Sequence, residues 1–459
     1  MRGNARKQLP LTTVQINHQH AAEMEAMSVL LDEHHSIAER AGRDLCGKRR
    51  SDRGRTGMSG DQVVRIALLK CIHRATYRDL AFRLVDSAVF RRFARLPYGA
   101  PIKVATLQDN VKRLTPETWE EINKVVLLCA KAAGLESGKK TRTDCTVVDA
   151  NIHAPSDNSL LWDCVRVLMR LLDSGKELAP SLSWDFEDVR KLAKRLSFAI
   201  EYPRGSKEAK EKKRSQAYRR LLELTETTKE QAIAAEVNLK TVVATGPLHA
   251  ARIAAPCAEL ASYVAATLQV MDQTRRRVLE GEAVPATEKL VSIFERHTDI
   301  VIKAKRETLF GHKVCLTGGA SSMILDCVIE EGNPADSTLV SRSLKRIAAL
   351  YGEAPEQAAF DGAFASKANL EEAKSLGVKD AVFNKKCGLA VSEMASSAGV
   401  FKKLRNFRAG IEGCISTLKR AFNMDRCIWR GLEGFKSYVW SSVVSFNLVV
   451  LARHLVAES

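Results

Sequence analysis

Three carboxylates in this 459-residue chain stand where a fold could gather them. Asp144 lies in the β-branched run TRTDCTVVDANIH (141–153), Asp361 ends the short apolar run QAAFD, and Glu412 sits in NFRAGIEGCISTLKRAF (406–422). The first two runs read as strands, and ligands collect where strand ends and loops converge. Three hard oxygen donors with few other ligands suit Mg²⁺, which keeps waters and takes its remaining oxygens from a phosphate. A pair of such ions, with Mn²⁺ as a substitute, stabilises both the attacking and the leaving oxygen of a phosphodiester displacement.

Around Glu412, Ile411, Ile415, Leu418 and Phe422 recur at the spacing of one buried helix face. Beside that face runs a second stripe of Arg408, Glu412 and Lys419. Glu412 is about 40° round from Arg408, and Lys419 about 20° from Glu412. Gly410 and Gly413 bracket the carboxylate, although each weakens a helix by about 1 kcal/mol against Ala. Taken alone, Arg408 and Glu412 also fit a solvated i,i+4 pair worth about 0.3 kcal/mol.

The composition narrows the partner. Lys and Arg number 71 against 54 Asp and Glu, a formal net charge of +17. Such a surplus points to a polyanion, most often nucleic acid. The 11 cysteines are scattered without any C-x-x-C pair, so neither a zinc ribbon nor a redox motif is supported, and they fit reduced, buried thiols in the cytosol. The start, MRGNARKQLPLTT, has no apolar signal-peptide core. The apolar tail YVWSSVVSFNLVVLARHLV is broken by serines, Asn447, Arg453 and His454, so a buried helix is expected there and no membrane partner.

The elements that must position the acids follow in order. Residues 1–138 read as an all-helical domain, with GDQVVRIALLKCIHR followed by a helix capped at Thr76 by the box TYRD. Helix, tight turn and helix, carrying Arg78 and Arg83, resemble a helix-turn-helix reader of duplex DNA. A strand at 141–153 precedes a helical insertion, 159–295, which holds the basic stretch 203–220 with eight Lys/Arg against two Glu. That stretch is either a solvated face or a track for phosphate backbone. From 296 the strands return. FGHKVCLT and MILDCVIEE form a hairpin, then come a helix ending at Gly352, the strand of Asp361, a helix, the strand KDAVFNK and the helix of Glu412. The expected architecture is α/β: a mixed five-stranded sheet in the order β-β-β-α-β-α-β-α, formed by 139–158 and 296–459.

That order resembles the RNase H-like fold, and the three acids resemble the Asp-Asp-Glu triad of DDE transposases. Arg408, Glu412 and Lys419 keep the spacing of the Y-R-E-K signature of insertion-sequence transposases, with Arg405 in place of the Tyr. The segments DCTVVDANIHAPSDNSLLWD, SIFERHTDIVIKAKRETLFGHKV and FDGAFASKANLEEAKSLGVKD, with the helical GDQVVRIALLKCIHRATYRDLAFRLVDS, are similar to the ISNCY-type group. The resemblance implies a bacterial, nucleoid-associated enzyme that cleaves and joins double-stranded DNA at the terminal inverted repeats of a mobile element, as a homodimer or larger assembly. It implies Asp144, Asp361 and Glu412 as metal-holding catalytic acids and Arg408, Lys419 and Arg405 as DNA contacts. Lys385 and Lys386 would suit phosphate contacts, with solvated lysines as the alternative. Asp149, on the opposite strand face, remains a second choice for the first acid. His153, Asp157, Asp163, His297, Asp299 and His312 match no zinc spacing and read as structural. A catalytically silent DNA-binding derivative, or an RNase H-fold nuclease without strand transfer, are the other two readings.

Overall fold

The computed structural model describes residues 18–47, 57–97, 99, 102–303, 307–384 and 387–458. The chain divides into two compact units, residues 1–151 with 311–459, and residues 152–310.

The first unit is built on a mixed sheet. Its strands are β1 (Lys140–Asp149), β3 (Glu307–Gly318), β4 (Ile324–Ile329), β5 (Gln357–Phe360) and β6 (Asp380–Phe383); β3 begins within the second unit, where β2 (Asp299–Lys303) pairs with it as a sixth strand. The order is β2-β3-β1-β5-β6, with β4 also pairing β3. β1 runs antiparallel to β3, with Asp144 opposite Leu316, and parallel to β5, with Thr143 opposite Phe360. β5 and β6 are parallel, and β3 and β4 form an antiparallel hairpin with an irregularity at Thr317/Gly318. Mixed sheet and flanking helices are consistent with an RNase H-like domain. The sixth strand is the departure from the five expected: DIVIK is short and β-branched, and by sequence it merges into a longer connecting segment.

Residue type explains the core strands. β5 and β6 are short, and nearly all their side chains are buried, as befits parallel strands covered on both faces. The helix Ala398–Ala421 packs across β1, β5 and β6. It buries Ile411 and Leu418 fully and Phe422 almost so, which is the expected apolar face. The tail forms the helix Leu432–Glu458, packed against the helices Gln19–Glu33, Gly60–Ile72 and Pro116–Ala132 and against β4. Buried Asn447 donates to the Ile324 carbonyl (2.7 Å) and to Asn123 Oδ1 (2.8 Å), and accepts from the Ile324 N–H (2.8 Å). The polar residue that interrupted the apolar run therefore closes the open backbone of β4. In the helix pair Gly60–Ile72 and Tyr77–Asp86, both capping boxes form, at Ser59/Gln62 and at Thr76/Asp79.

The second unit is helical. Asp157–Leu178, Arg190–Glu201, Lys207–Lys240 and Pro247–Thr274 pack on one another around Leu161, Leu168, Leu172, Leu221, Leu239, Leu260 and Val270. Among the described residues two helices are long and apolar enough to cross a membrane, Pro247–Leu279 and Leu432–Glu458, and the second has 72% of its apolar window buried. All 11 cysteines are free thiols.

Candidate active site

The parallel pairing of β1 with β5 brings two acids together. Thr143 is the last residue of β1 to pair with β5, opposite Phe360, so the next residues, Asp144 in the middle of β1 and Asp361 just past the end of β5, come side by side. Asp361 leaves β5 in an extended conformation and caps the short turn Gly362–Phe364, which holds it at the strand end. Glu412 arrives from above, on the helix Ala398–Ala421.

All three carboxylates converge on one guanidinium. Arg408 reaches Asp144 Oδ2 at 3.4 Å and Asp361 Oδ1 at 3.3 Å through Nη1, and Glu412 Oε1 at 2.6 Å through Nη2. The side chain of Arg408 is 12% exposed, and those of Asp144, Asp361 and Glu412 are 19%, 36% and 61% exposed. The cluster is thus graded from a half-dry floor at Asp144 to an open rim at Glu412. Burial pushes the Asp144 carboxyl up to about 6, helped by the like charges of Asp361 and Glu412 and opposed by the Cys145 N–H (2.8 Å) and by Arg408.

The donor chemistry fits a divalent ion: three carboxylates supply hard oxygen donors, and burial with their mutual repulsion raises the innermost acid. As they stand, the side chains form no ready cage. Among the described residues no three His, Cys, Asp or Glu side chains are gathered closely enough to hold an ion. Arg408 spaces the acids apart, and it supplies the positive charge at their centre.

The other expected residues are distributed as follows. Arg405 is exposed one turn before Arg408 on the same helix. Lys419 lies two turns beyond Glu412, where it donates to the Val147 carbonyl of β1 (2.8 Å) and approaches Asp425 (3.8 Å), so it is not among the groups around the acids. Lys385 and Lys386 lie outside the described residues. Arg78 and Arg83 are exposed on the helix Tyr77–Asp86, with Arg83 over the Phe90 ring. Asp149 pairs across the ladder with Gly311, five positions from Asp144, and its backbone binds the 425–427 segment. The ambiguous cluster disperses. His153 approaches Asp163 (3.6 Å), which also binds Arg166 (2.6 Å); Asp157 binds Arg277 (3.0 Å); His297 binds Glu295 (2.9 Å); and the His312 ring packs on Phe435.

One residue at the site escaped the sequence reading. Arg142 is buried on β1, two positions before Asp144, and holds the helix of Glu412 by the Phe407 carbonyl (3.1 Å). The available signal was an arginine on the same strand face as the acid, in a run otherwise rich in β-branched residues.

A mixed sheet with two acids side by side on adjacent strands and a third on a covering helix places the chain among α/β domains whose carboxylates could take a divalent ion. Within that class, residues 301–448, about a third of the chain, match the family model for the transposase DDE domain. The matched segment contains Asp361 and Glu412, whereas Asp144 lies before it, across the helical unit. The match supports a DDE transposase. No curated protein and no solved structure matches the chain.

Proposed function

We propose that the chain is the transposase of an insertion sequence, of ISNCY type, cleaving the phosphodiester at the element's ends and joining the freed ends to target DNA. The observation that carries this reading is the convergence of Asp144, Asp361 and Glu412 on Arg408, from two strands and a helix far apart in sequence. In the working complex the three carboxylates would hold two Mg²⁺ or Mn²⁺ ions, which would supply charge neutralisation for the phosphodiester displacement. Arg408 is released by that exchange and pairs instead with a DNA phosphate, for which its planar fork is suited. Water attacks at the element's end and leaves a 3′-OH, and the 3′-OH then attacks the target strand. No covalent link to the enzyme forms. The exposed Arg405, the half-buried Lys419, and Lys385 and Lys386 serve backbone contact. The helix Tyr77–Asp86, through Arg78 and Arg83, reads the terminal repeats, and a homodimer or larger assembly pairs two ends.

The test is cleavage of a duplex carrying the terminal inverted repeat with Mg²⁺. Single replacement of Asp144, Asp361 or Glu412 by Ala abolishes nicking and leaves DNA binding largely intact. A D361A protein that still nicks the ends would end this assignment. The guanidinium at the centre of the acids is the one observation that favours a catalytically silent reader, for which the wild type would bind the repeat without breaking it. Adding target DNA to the same assay separates a transposase from an RNase H-fold nuclease, which would cut but not join.

A further inference from the structure

Arg142 and Asp144 share a face of β1, because strand side chains alternate. The Arg142 guanidinium donates from Nη1 to the Phe407 carbonyl (3.1 Å) and from Nη2 to Ser322 Oγ (3.0 Å) and Cys414 Sγ (3.7 Å). It also lies 4.6 Å from the centroid of the Phe407 ring. None of these partners is a carboxylate, and Nε finds no hydrogen-bond partner among the described residues. A cation buried on neutral partners is costly, and an apolar side chain would fill the same space more cheaply. Packing alone therefore does not account for it.

Apart from Ser322, these partners belong to the helix Ala398–Ala421, at Phe407 and Cys414 on either side of Arg408 and Glu412. Gly410 supplies the opening. A Cβ there would lie 1.8 Å from Arg142 Nη1 and 2.8 Å from Cζ, so any other residue would push the guanidinium out. A Cβ on Gly413 would meet nothing within 4 Å, so that glycine answers no need of the strand. On a helix, a slip of one residue turns the outward face by about 100°, enough to carry Glu412 away from the strand ends.

We propose that Arg142 is a positioning residue: seated in the Gly410 notch, it fixes the rotation and height of the Ala398–Ala421 helix so that Glu412 meets Asp144 and Asp361. The inference rests on the reading of those acids as the catalytic set, and it adds a residue that touches none of the reacting groups.

The experiment uses the full chain with R142M, R142A, G410A and the double variant R142A/G410A. R142M and G410A each lower kcat for end cleavage by about 100-fold, the cost of an ångström-scale misplacement, with KM for the terminal-repeat duplex unchanged. Mn²⁺ affinity, read by the spin-resonance signal of the free ion, falls in both. Removing the guanidinium empties the notch, so G410A costs little in the R142A background although it is severe alone, both in kcat and in Tm. Additive losses overturn the proposal, as does a folded R142M with wild-type kcat and Mn²⁺ affinity. If R142M does not fold, G410A decides on the same criterion. A wild type that neither binds Mn²⁺ nor cleaves refutes the catalytic reading, while the coupling of 142 with 410 in Tm still reads the peg on its own.

Discussion

Asp144 is the most buried of the three acids, and its environment gives it a pH signature. Its folded pKa, about 6, exceeds the ordinary 3.8, so between those values the folded state binds more protons than the unfolded one. Stability is therefore lost as pH rises through that window, and the ionised carboxylate is a burden on the fold at neutral pH. D144N removes the burden. It should raise Tm at pH 7, by an amount equivalent to about 1–3 kcal/mol, while abolishing cleavage, and thermal melts should show a clearly smaller gain at pH 5, which lies inside the window, than at pH 7. The same carboxylate must be ionised to hold a metal. Mn²⁺ binding should therefore weaken about tenfold for each pH unit below 6 and level off above it; a flat titration from pH 5 to 8 would contradict this. Arg408 supplies the complementary test. Without it the acids face one another unscreened, so R408M should gain more in Tm on adding Mg²⁺ than the wild type does, because linkage rewards the ion that replaces the missing charge.

At the scale of elements, the helix Ala398–Ala421 matters most. Its apolar face was legible because Ile411, Leu418 and Phe422 follow the helical period and are buried as that period demands. L418A should cost about 2–5 kcal/mol in denaturant unfolding, the range for emptying a core leucine site, whereas K419M, which releases the Val147 carbonyl and a long, exposed approach to Asp425, should cost about 1 kcal/mol. Equal costs would mean that Lys419 carries more than a tie to β1. The strands of Asp144 and Asp361 were legible too, from β-branched and apolar runs bounded by turn residues. Their adjacency was not. Parallel pairing of β1 with β5 joins residues more than 200 apart in sequence, and no local period records it. Arg142 was missed for the same reason: its partners at 407 and 414 are supplied by the fold, and a lone arginine in a strand run looks like any solvated residue. β2 was overlooked because DIVIK runs on in sequence into a longer connecting segment without a turn residue to bound it.

For the whole molecule, the +17 charge must be apportioned between tasks. On the proposed function the three acids would handle phosphate and sugar, which every duplex presents alike, so recognition of the element's ends would come from another surface. The helix Tyr77–Asp86 offers one, with exposed Arg78, Phe82 and Arg83 along a capped, isolated face. Arginines donate in pairs to guanine edges and an aromatic ring can meet a thymine methyl, so this face can distinguish sequences. The start of the helix Lys207–Lys240 has a different character. Lys207, Lys210, Lys212 and Lys213 are exposed over two turns at a helix N-terminus, with Lys213 also donating to the Arg204 carbonyl (3.1 Å). Flexible point charges beside a positive dipole end attract phosphate without reading bases. Neutralising these four lysines should weaken binding to terminal-repeat and random duplex by the same factor. It should also flatten the plot of log affinity against log salt by about 0.9 for each phosphate that the variant no longer neutralises. Neutralising Arg78 and Arg83 should instead narrow the ratio of repeat to random affinity, even at a salt concentration where total binding is matched. Fluorescence titrations of both duplexes across a salt series measure the two quantities together, and a lysine variant that loses end preference while the arginine variant keeps it would reverse the assignment.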